Sequence, residues 1–506
     1  MRSEPQDSAL AAGLRALEER DFEAAEMALR ELVGRQPSHH GAWHALAWTY
    51  LQSGRGELAL EAARHAFEAS RSNLDYLNTL GVAYGETGAQ QEAEACFRKA
   101  LKRRPVFLHA IINLAKSLEK QERAAEAIPL FERALALEPG FPRLATNLAR
   151  LYCQRGDAAR ARALLERAAP AAADAETVAM AQAECDLELD GPDAAIARLA
   201  SAVEGNPHWS VARYALAHAL LANGRWRDGW RHYQARHELH GTRASSLRPD
   251  GERIVLRGEQ GLGDVLFFLR FAPLLQARGA RLALACEEKL QPLIALEKAG
   301  EDPSAVWLGD LPHLLQCDET PPAWPLVASE ASRAEARNRL AALGPGPYLA
   351  VTWRAGTDAV RLREFGAERM SLSKAIAPAQ LGTALRGWPG TVIALQRGAR
   401  SGEAAQFAAG LGRAFHDLSA LGDDLPALLG VLAEIDEYVG VSNTNIHLLA
   451  GLGRTARVLV PYPAEWRWLR REGRSPWFPG FPVYRQSVSR DWGAAVEQMG
   501  KDLSRV

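Results

Sequence analysis

Along the first 240 residues, small and bulky apolar positions recur on a helical spacing with a longer beat laid over it. Pro37, Pro105, Pro139 and Pro207 fall on one 34-residue register. Twenty-four residues before that register stand Gly13, Ala47, Gly81, Ala115, Ala149, Ala183 and Ala217. Twelve before it stand Ala25, Ala59, Ala93, Ala127, Ala161, Ala195 and Gly229. Small residues held in phase at two positions predict seven units of two antiparallel helices, because a small side chain at the crossing lets two backbones approach. Trp43 and Tyr50, then Leu80, Tyr84 and Phe97, then Leu114 and Phe131 fill the flanks, and the prolines end the second helices. The predicted solenoid covers 6–240 as about seven repeats.

Beyond it the pattern changes. Residues 241–251 are polar and turn-rich and read as a junction. Short apolar, β-rich runs then alternate with helical stretches, which predicts parallel sheets. The runs are Arg253–Arg257, Arg281–Cys286, Tyr348–Trp353, Thr391–Gln396, Tyr438–Val441 and Arg457–Val460. A stretch with Pro321, Pro322 and Pro325 separates the early runs from the late ones. The expectation is an all-α solenoid followed by two Rossmann-like lobes, 252–345 and 346–506, around one cleft.

Composition narrows the function. Sixty basic against 61 acidic residues leave a formal charge of −1, so no general field draws this chain to nucleic acid or to an anionic membrane. Any affinity for phosphate must come from a few placed groups. The five cysteines (Cys96, Cys153, Cys185, Cys286, Cys317) are scattered without a C-x-x-C pair, as expected of a reducing compartment. The first ten residues lack the apolar core of a secretory signal, and no apolar run is long enough to span a bilayer, so a cytoplasmic location is expected.

Two motifs carry candidate chemistry. Gly258-Glu-Gln-Gly261-Leu-Gly263-Asp264-Val265-Leu266 follows a strand and opens a helix; Gly261 and Gly263 allow a tight turn and close approach of a ligand. Asp264 would face the carboxyl end of the strand, or would simply cap the helix. Val441-Ser442-Asn443-Thr444-Asn445-Ile446-His447 also leads from strand to helix. Free amides there, with the side chains of Ser442, Asn443, Thr444 and Asn445 and with His447 one turn on, suit a diphosphate; the alternative is a polar cap cluster with a packed histidine. Arg354, after a strand, is the first cationic candidate, with Arg397, Lys374 and Arg369 behind it. His40 and His44 stand four apart on one helix, but no carboxylate completes a metal set, and no metal is expected.

The 34-residue period and its small/large pattern resemble the tetratricopeptide repeat (TPR), whose stacked helices offer a groove for extended peptides. Asn113 and Asn147, in Asn-Leu-Ala triplets one repeat apart, resemble the asparagines that grip a peptide backbone in the O-linked N-acetylglucosamine transferases. They also fit two residues tolerated on a half-exposed helix face, since other units carry Ala45, Thr79, Ala181 and Ala215 there. Residues 252–506 resemble the two-lobed GT-B glycosyltransferases of family 9, the heptosyltransferase-like group. The resemblance rests on Gly263-Asp264-Val265-Leu266 and on 443–450, with Trp466-Arg467-Trp468 and Ser475-Pro476-Trp477-Phe478-Pro479 resembling its repeat-fused branch. It implies an inverting, metal-independent transfer from a nucleotide sugar to a protein hydroxyl, with Asp264 as general base and no cofactor. Asn443 stands where that family has an acid. The alternatives are a scaffold or adaptor with a degenerate transferase fold, and an enzyme of cell-surface glycans. Donor base, sugar, acceptor and oligomeric state are not legible.

Overall fold

The protein is described by a computed structural model over residues 4–121, 123–140, 142–167, 175–247, 253–258, 261–355, 374–462, 464–469 and 474–505. It forms two compact units, Met1–Cys153 with Asp157–Ala181, and Gln154–Gly156 with Gln182–Val506.

The first unit is a row of helical hairpins. Glu4–Glu18 pairs with Phe22–Arg35, His40–Gln52 with Gly56–Ala69, Leu74–Glu86 with Gln90–Arg103, and Leu108–Lys120 with Ala124–Leu137; Pro142–Gln154 and Ala158–Arg167 follow. The in-phase small residues lie at the crossings: Ala25, Ala47, Ala59, Ala93, Ala115, Ala127 and Ala161 are wholly buried. At Gly81 even a methyl group would not fit, because a β-carbon would stand 2.6 Å from Cε1 of Phe97. Pro37, Pro105 and Pro139 each follow a cap residue (Gln36, Arg104, Glu138) whose N–H closes the last helical turn, so the proline stops a helix already ended.

The first helices of successive hairpins are tied by a polar row. His44 Nε2 lies 2.9 Å from Thr79 Oγ1, and Asn113 Nδ2 donates to Asn78 Oδ1 at 3.1 Å; each pair is 35 residues apart.

Helix Ala175–Leu189 straddles the boundary at Ala181, and the second unit continues with Pro192–Gly205, Ser210–Ala222 and Trp226–Tyr233. The division between the units therefore falls inside a helix, and the last helical pairs belong with the α/β region. That region has two all-parallel sheets. The first runs β3-β2-β1-β4, from β1 (Arg253–Arg257), β2 (Arg281–Ala285), β3 (Glu297–Lys298) and β4 (Val306–Trp307). The second combines β5 (Tyr348–Thr352), β8 (Thr391–Ala394), β9 (His416–Asp417), β10 (Glu437–Val441), β11 (Arg457–Val460) and β12 (Val483–Arg485) in the order β12-β11-β10-β5-β8-β9. Between them in sequence, β6 (Arg354–Ala355) and β7 (Lys374–Ala375) form an antiparallel pair. Sheets covered on both faces need near-continuous apolar strands, which is why β5, β8 and β10 are buried along almost their whole length.

The end of the 252–345 segment packs on an element that follows β9 in the chain. Helix Glu330–Leu343 packs on helix Leu425–Glu434, whose Gly430 lies so close that a β-carbon would be 2.5 Å from Ser332 O, and Arg333 Nε donates to Glu434 at 2.6 Å. The proline-bearing stretch before it is likewise anchored, with Trp324 and Leu326 buried and Leu326 N donating to Gly451 O at 2.9 Å.

Two contacts fasten the last hairpin to the sheets. Trp230 meets Phe268, Phe271, Trp466 and Trp477 edge-on, with centroids 5.3–6.1 Å apart. Just beyond, Asp310 is wholly buried and accepts from Arg236 at 2.5 Å, His237 Nε2 at 2.8 Å and Ser245 N at 2.8 Å. Burial alone would raise the Asp310 pKa, but His237, Arg236 and the Ser245 amide bring it down to about 2.

Candidate functional site

Each motif places its polar residues where a parallel strand gives way to a helix. After β1, Gly261 is the cap residue of helix Leu262–Phe268, and Asp264 lies one turn in. The Asp264 carboxylate does not cap the helix; it forms an ion pair with Arg467. After β10, Asn443 caps helix Thr444–Gly451, its Oδ1 accepting from Asn445 N at 2.9 Å. Its Nδ2 donates to Thr352 Oγ1 at 2.7 Å and to Tyr438 Oη at 3.0 Å, and Asn445 Nδ2 donates to Tyr438 Oη at 3.2 Å. Asn443 thus uses both ends of its amide. An ionised aspartate could cap the helix but could not donate to these hydroxyls.

The two helix starts meet. A β-carbon on Gly263 would stand 3.1 Å from Cδ2 and 3.4 Å from Nε2 of His447, and 3.7 Å from Thr444 Oγ1. The His447 ring packs edge-on against Phe267 and Phe478. Burial drives its pKa well below the usual histidine value, and Arg467, Arg270 and Lys374 push the same way, so the ring is neutral.

A third segment, Glu465-Trp466-Arg467 after β11, supplies charge to both starts. Glu465 pairs with Lys374 and accepts from Ser442 Oγ at 3.0 Å. Burial pushes the Glu465 pKa up, but Lys374, Arg467 and Ser442 outweigh it and hold the carboxyl below its ordinary value. Arg467, only 11% exposed, lies with its guanidinium carbon 4.6 Å from the ring centres of both Phe267 and Trp466. Its Nε is buried and has no partner among the described residues.

The structure therefore brings Gly261, Gly263, Asp264, Ser442, Asn443, Thr444, Asn445, His447 and Lys374 into one neighbourhood. Arg354 and Arg397 are engaged differently. Arg354 pairs with Glu403 and reaches the Gly398 carbonyl, while Arg397 is 61% exposed and 3.9 Å from Asp423. Arg354 is thus held by Glu403, outside the set joined through Asp264, Ser442 and Glu465, and Arg397 is largely exposed. Arg369 lies outside the described residues. Arg467 and Glu465 carry no role in the sequence reading; the available signal was an arginine between two tryptophans just past a strand end.

In the helical hairpins, Asn113 is joined to Asn78 and Asn147 is half-buried on helix Pro142–Gln154. His40 Nδ1 lies 2.8 Å from Tyr76 Oη, and His44 Nε2 accepts from Trp48 Nε1 at 3.2 Å. Among the described residues no group of three His, Cys, Asp or Glu side chains could hold a metal ion, and no helix is long and apolar enough to cross a membrane.

Comparison with known proteins supports the repeats. The tetratricopeptide repeat family matches residues 10–73, 73–104 and 118–185, so the N-terminal region carries tetratricopeptide repeats. Protein FlbA of Caulobacter vibrioides is 27% identical over 544 aligned residues, covering 97% of this chain and 88% of FlbA. The human PEX5-related protein is 26% identical over 99 residues, 20% of this chain and 16% of that protein. The solved structure of Pseudomonas aeruginosa pilF has 23% identity and a TM-score of 0.36, covering 41% of this chain and 94% of that one.

Proposed function

We propose that the protein is a glycosyltransferase of the two-lobed GT-B kind, moving a sugar from a nucleotide-sugar donor to a hydroxyl of a polypeptide presented by the repeats. The observation that carries this reading is the meeting of two strand-to-helix turns from two parallel sheets, at Gly263 and His447, with Asp264 on one side and the 442–447 helix start on the other. Asp264 is the general base: the acceptor O–H proton passes to its carboxylate as the oxygen bonds to the anomeric carbon. The carbon–oxygen bond to the diphosphate breaks in the same displacement, inverting the centre, and the electron pair leaves with the nucleoside diphosphate. The start of helix Thr444–Gly451, the Ser442 and Thr444 hydroxyls, Lys374 and Arg467 meet the charge that develops on the leaving group. Neutral His447 donates a further hydrogen bond to it.

The test is incubation of the purified protein with a panel of nucleotide sugars, beside Asp264→Ala, following nucleotide release and labelling of cell protein. Turnover abolished in the variant is expected. Absence of both nucleotide binding and turnover would leave the scaffold reading in its place.

A further inference from the structure

The carboxylate assigned as base is held by a guanidinium, which occupies an oxygen that the acceptor hydroxyl would need. We propose, resting on the glycosyltransferase reading, that Arg467 exchanges Asp264 for the donor's diphosphate, so that donor binding releases the base and the acceptor reacts second. Four observations carry it. Among the described residues Arg467 is the polar partner of the Asp264 side chain, which keeps 27% of its surface exposed. The Arg467 Nε–H is buried without an acceptor among the described residues, so this guanidinium has donor capacity that they do not use. Phe267 and Trp466 lie at equal distance from its carbon and keep the fork in the cleft while its partner changes. The same short segment ties Glu465 to Lys374 and Ser442, so Lys374, like Arg467, is balanced by a carboxylate that a diphosphate can replace. A diphosphate carries more charge and more acceptor oxygens than one carboxylate and matches the planar fork bidentately. Arg467 is thus a positioning residue for the base and a ligand for the donor, at different stages.

The exchange makes an unusual prediction: removing the base should tighten donor binding. The experiment titrates UDP, ADP, GDP and CDP calorimetrically into the full-length protein and into Asp264→Asn, Arg467→Gln and the double variant. For the nucleotide that binds, Asp264→Asn should tighten affinity roughly tenfold, the worth of one charge-assisted hydrogen bond. Arg467→Gln should weaken it by a similar factor, and on that background Asp264→Asn should change it by less than about twofold. Thermal unfolding checks that each variant folds; if Arg467→Gln does not, Arg467→Lys takes its place and should halve, at least, the effect of Asp264→Asn. Unchanged or weakened binding in Asp264→Asn, or an effect that persists without Arg467, overturns the exchange and leaves the donor reading intact. Failure of every nucleotide to bind the unaltered protein overturns the donor reading itself.

Discussion

Gly263 and His447 lie so close that a β-carbon on the first would be 3.1 Å from Cδ2 of the second. This contact fixes the spacing of the two turns, and it is tight without being a backbone clash. Gly263→Ala should therefore spare the fold, costing about 1–3 kcal/mol by overpacking. Because it wedges the turns apart, nucleotide affinity should fall about tenfold or more, read by calorimetry alongside thermal unfolding.

Asn443→Asp retains the Oδ1 cap on Asn445 and loses the donations to Thr352 and Tyr438. The expected stability loss is about 1–2 kcal/mol, and diphosphate binding should weaken several-fold because a negative charge is added at the helix start. Equal affinity in both proteins at low and high salt would contradict the placement of the diphosphate there.

Asp310 makes stability depend on acid. Its pKa is lowered to about 2 in the folded protein, so its contribution is complete above the ordinary carboxylate value near 3.8 and disappears as pH falls through about 2. The size is about 2 kcal/mol. Asp310→Asn leaves Arg236 buried beside a neutral amide and should destabilise by about 3–5 kcal/mol at pH 7. Between pH 5 and 2 its melting temperature should fall less steeply than that of the unaltered protein.

Two glycines in the helical hairpins should respond oppositely to alanine. Gly81→Ala drives a methyl group into Phe97 and should cost about 1–3 kcal/mol. Gly34, inside helix Phe22–Arg35, has nothing within 4 Å of the added carbon, so Gly34→Ala should stabilise by about 0.5–1 kcal/mol. Denaturant titration of the two variants distinguishes them.

What the sequence made legible follows from how locally each feature is encoded. The hairpins could be read because Ala47, Gly81 and Ala115 repeat a steric requirement at a fixed interval, and β1 and β11 because their apolar runs are bounded by turns. Strands β3, β4 and β9 span two residues each, too few to show any alternation, and they exist only through pairing with longer neighbours. The packing of helix Glu330–Leu343 depends on Gly430, about a hundred residues later. The same holds at the site. Gly263 and Asn443 announce themselves in strand-to-helix turns, whereas the pairing of Asp264 with Arg467 spans 203 residues and leaves no periodic trace. The pairing of Arg354 with Glu403, 49 residues apart, is equally silent in the sequence.

The aromatic seam around Trp230 bears on how such a chain can be divided. Cutting in the polar stretch after Gly241, where composition changes, would strip Trp230 and Tyr233 from Phe268, Phe271, Trp466 and Trp477 and leave an oily wall exposed. The last helical pair is thus a cladding of the α/β region, not a detachable spacer. Recombination that exchanged one repeat array for another would have to splice upstream of it, keeping Trp226, Trp230 and Arg236 as the inherited property of the sheets.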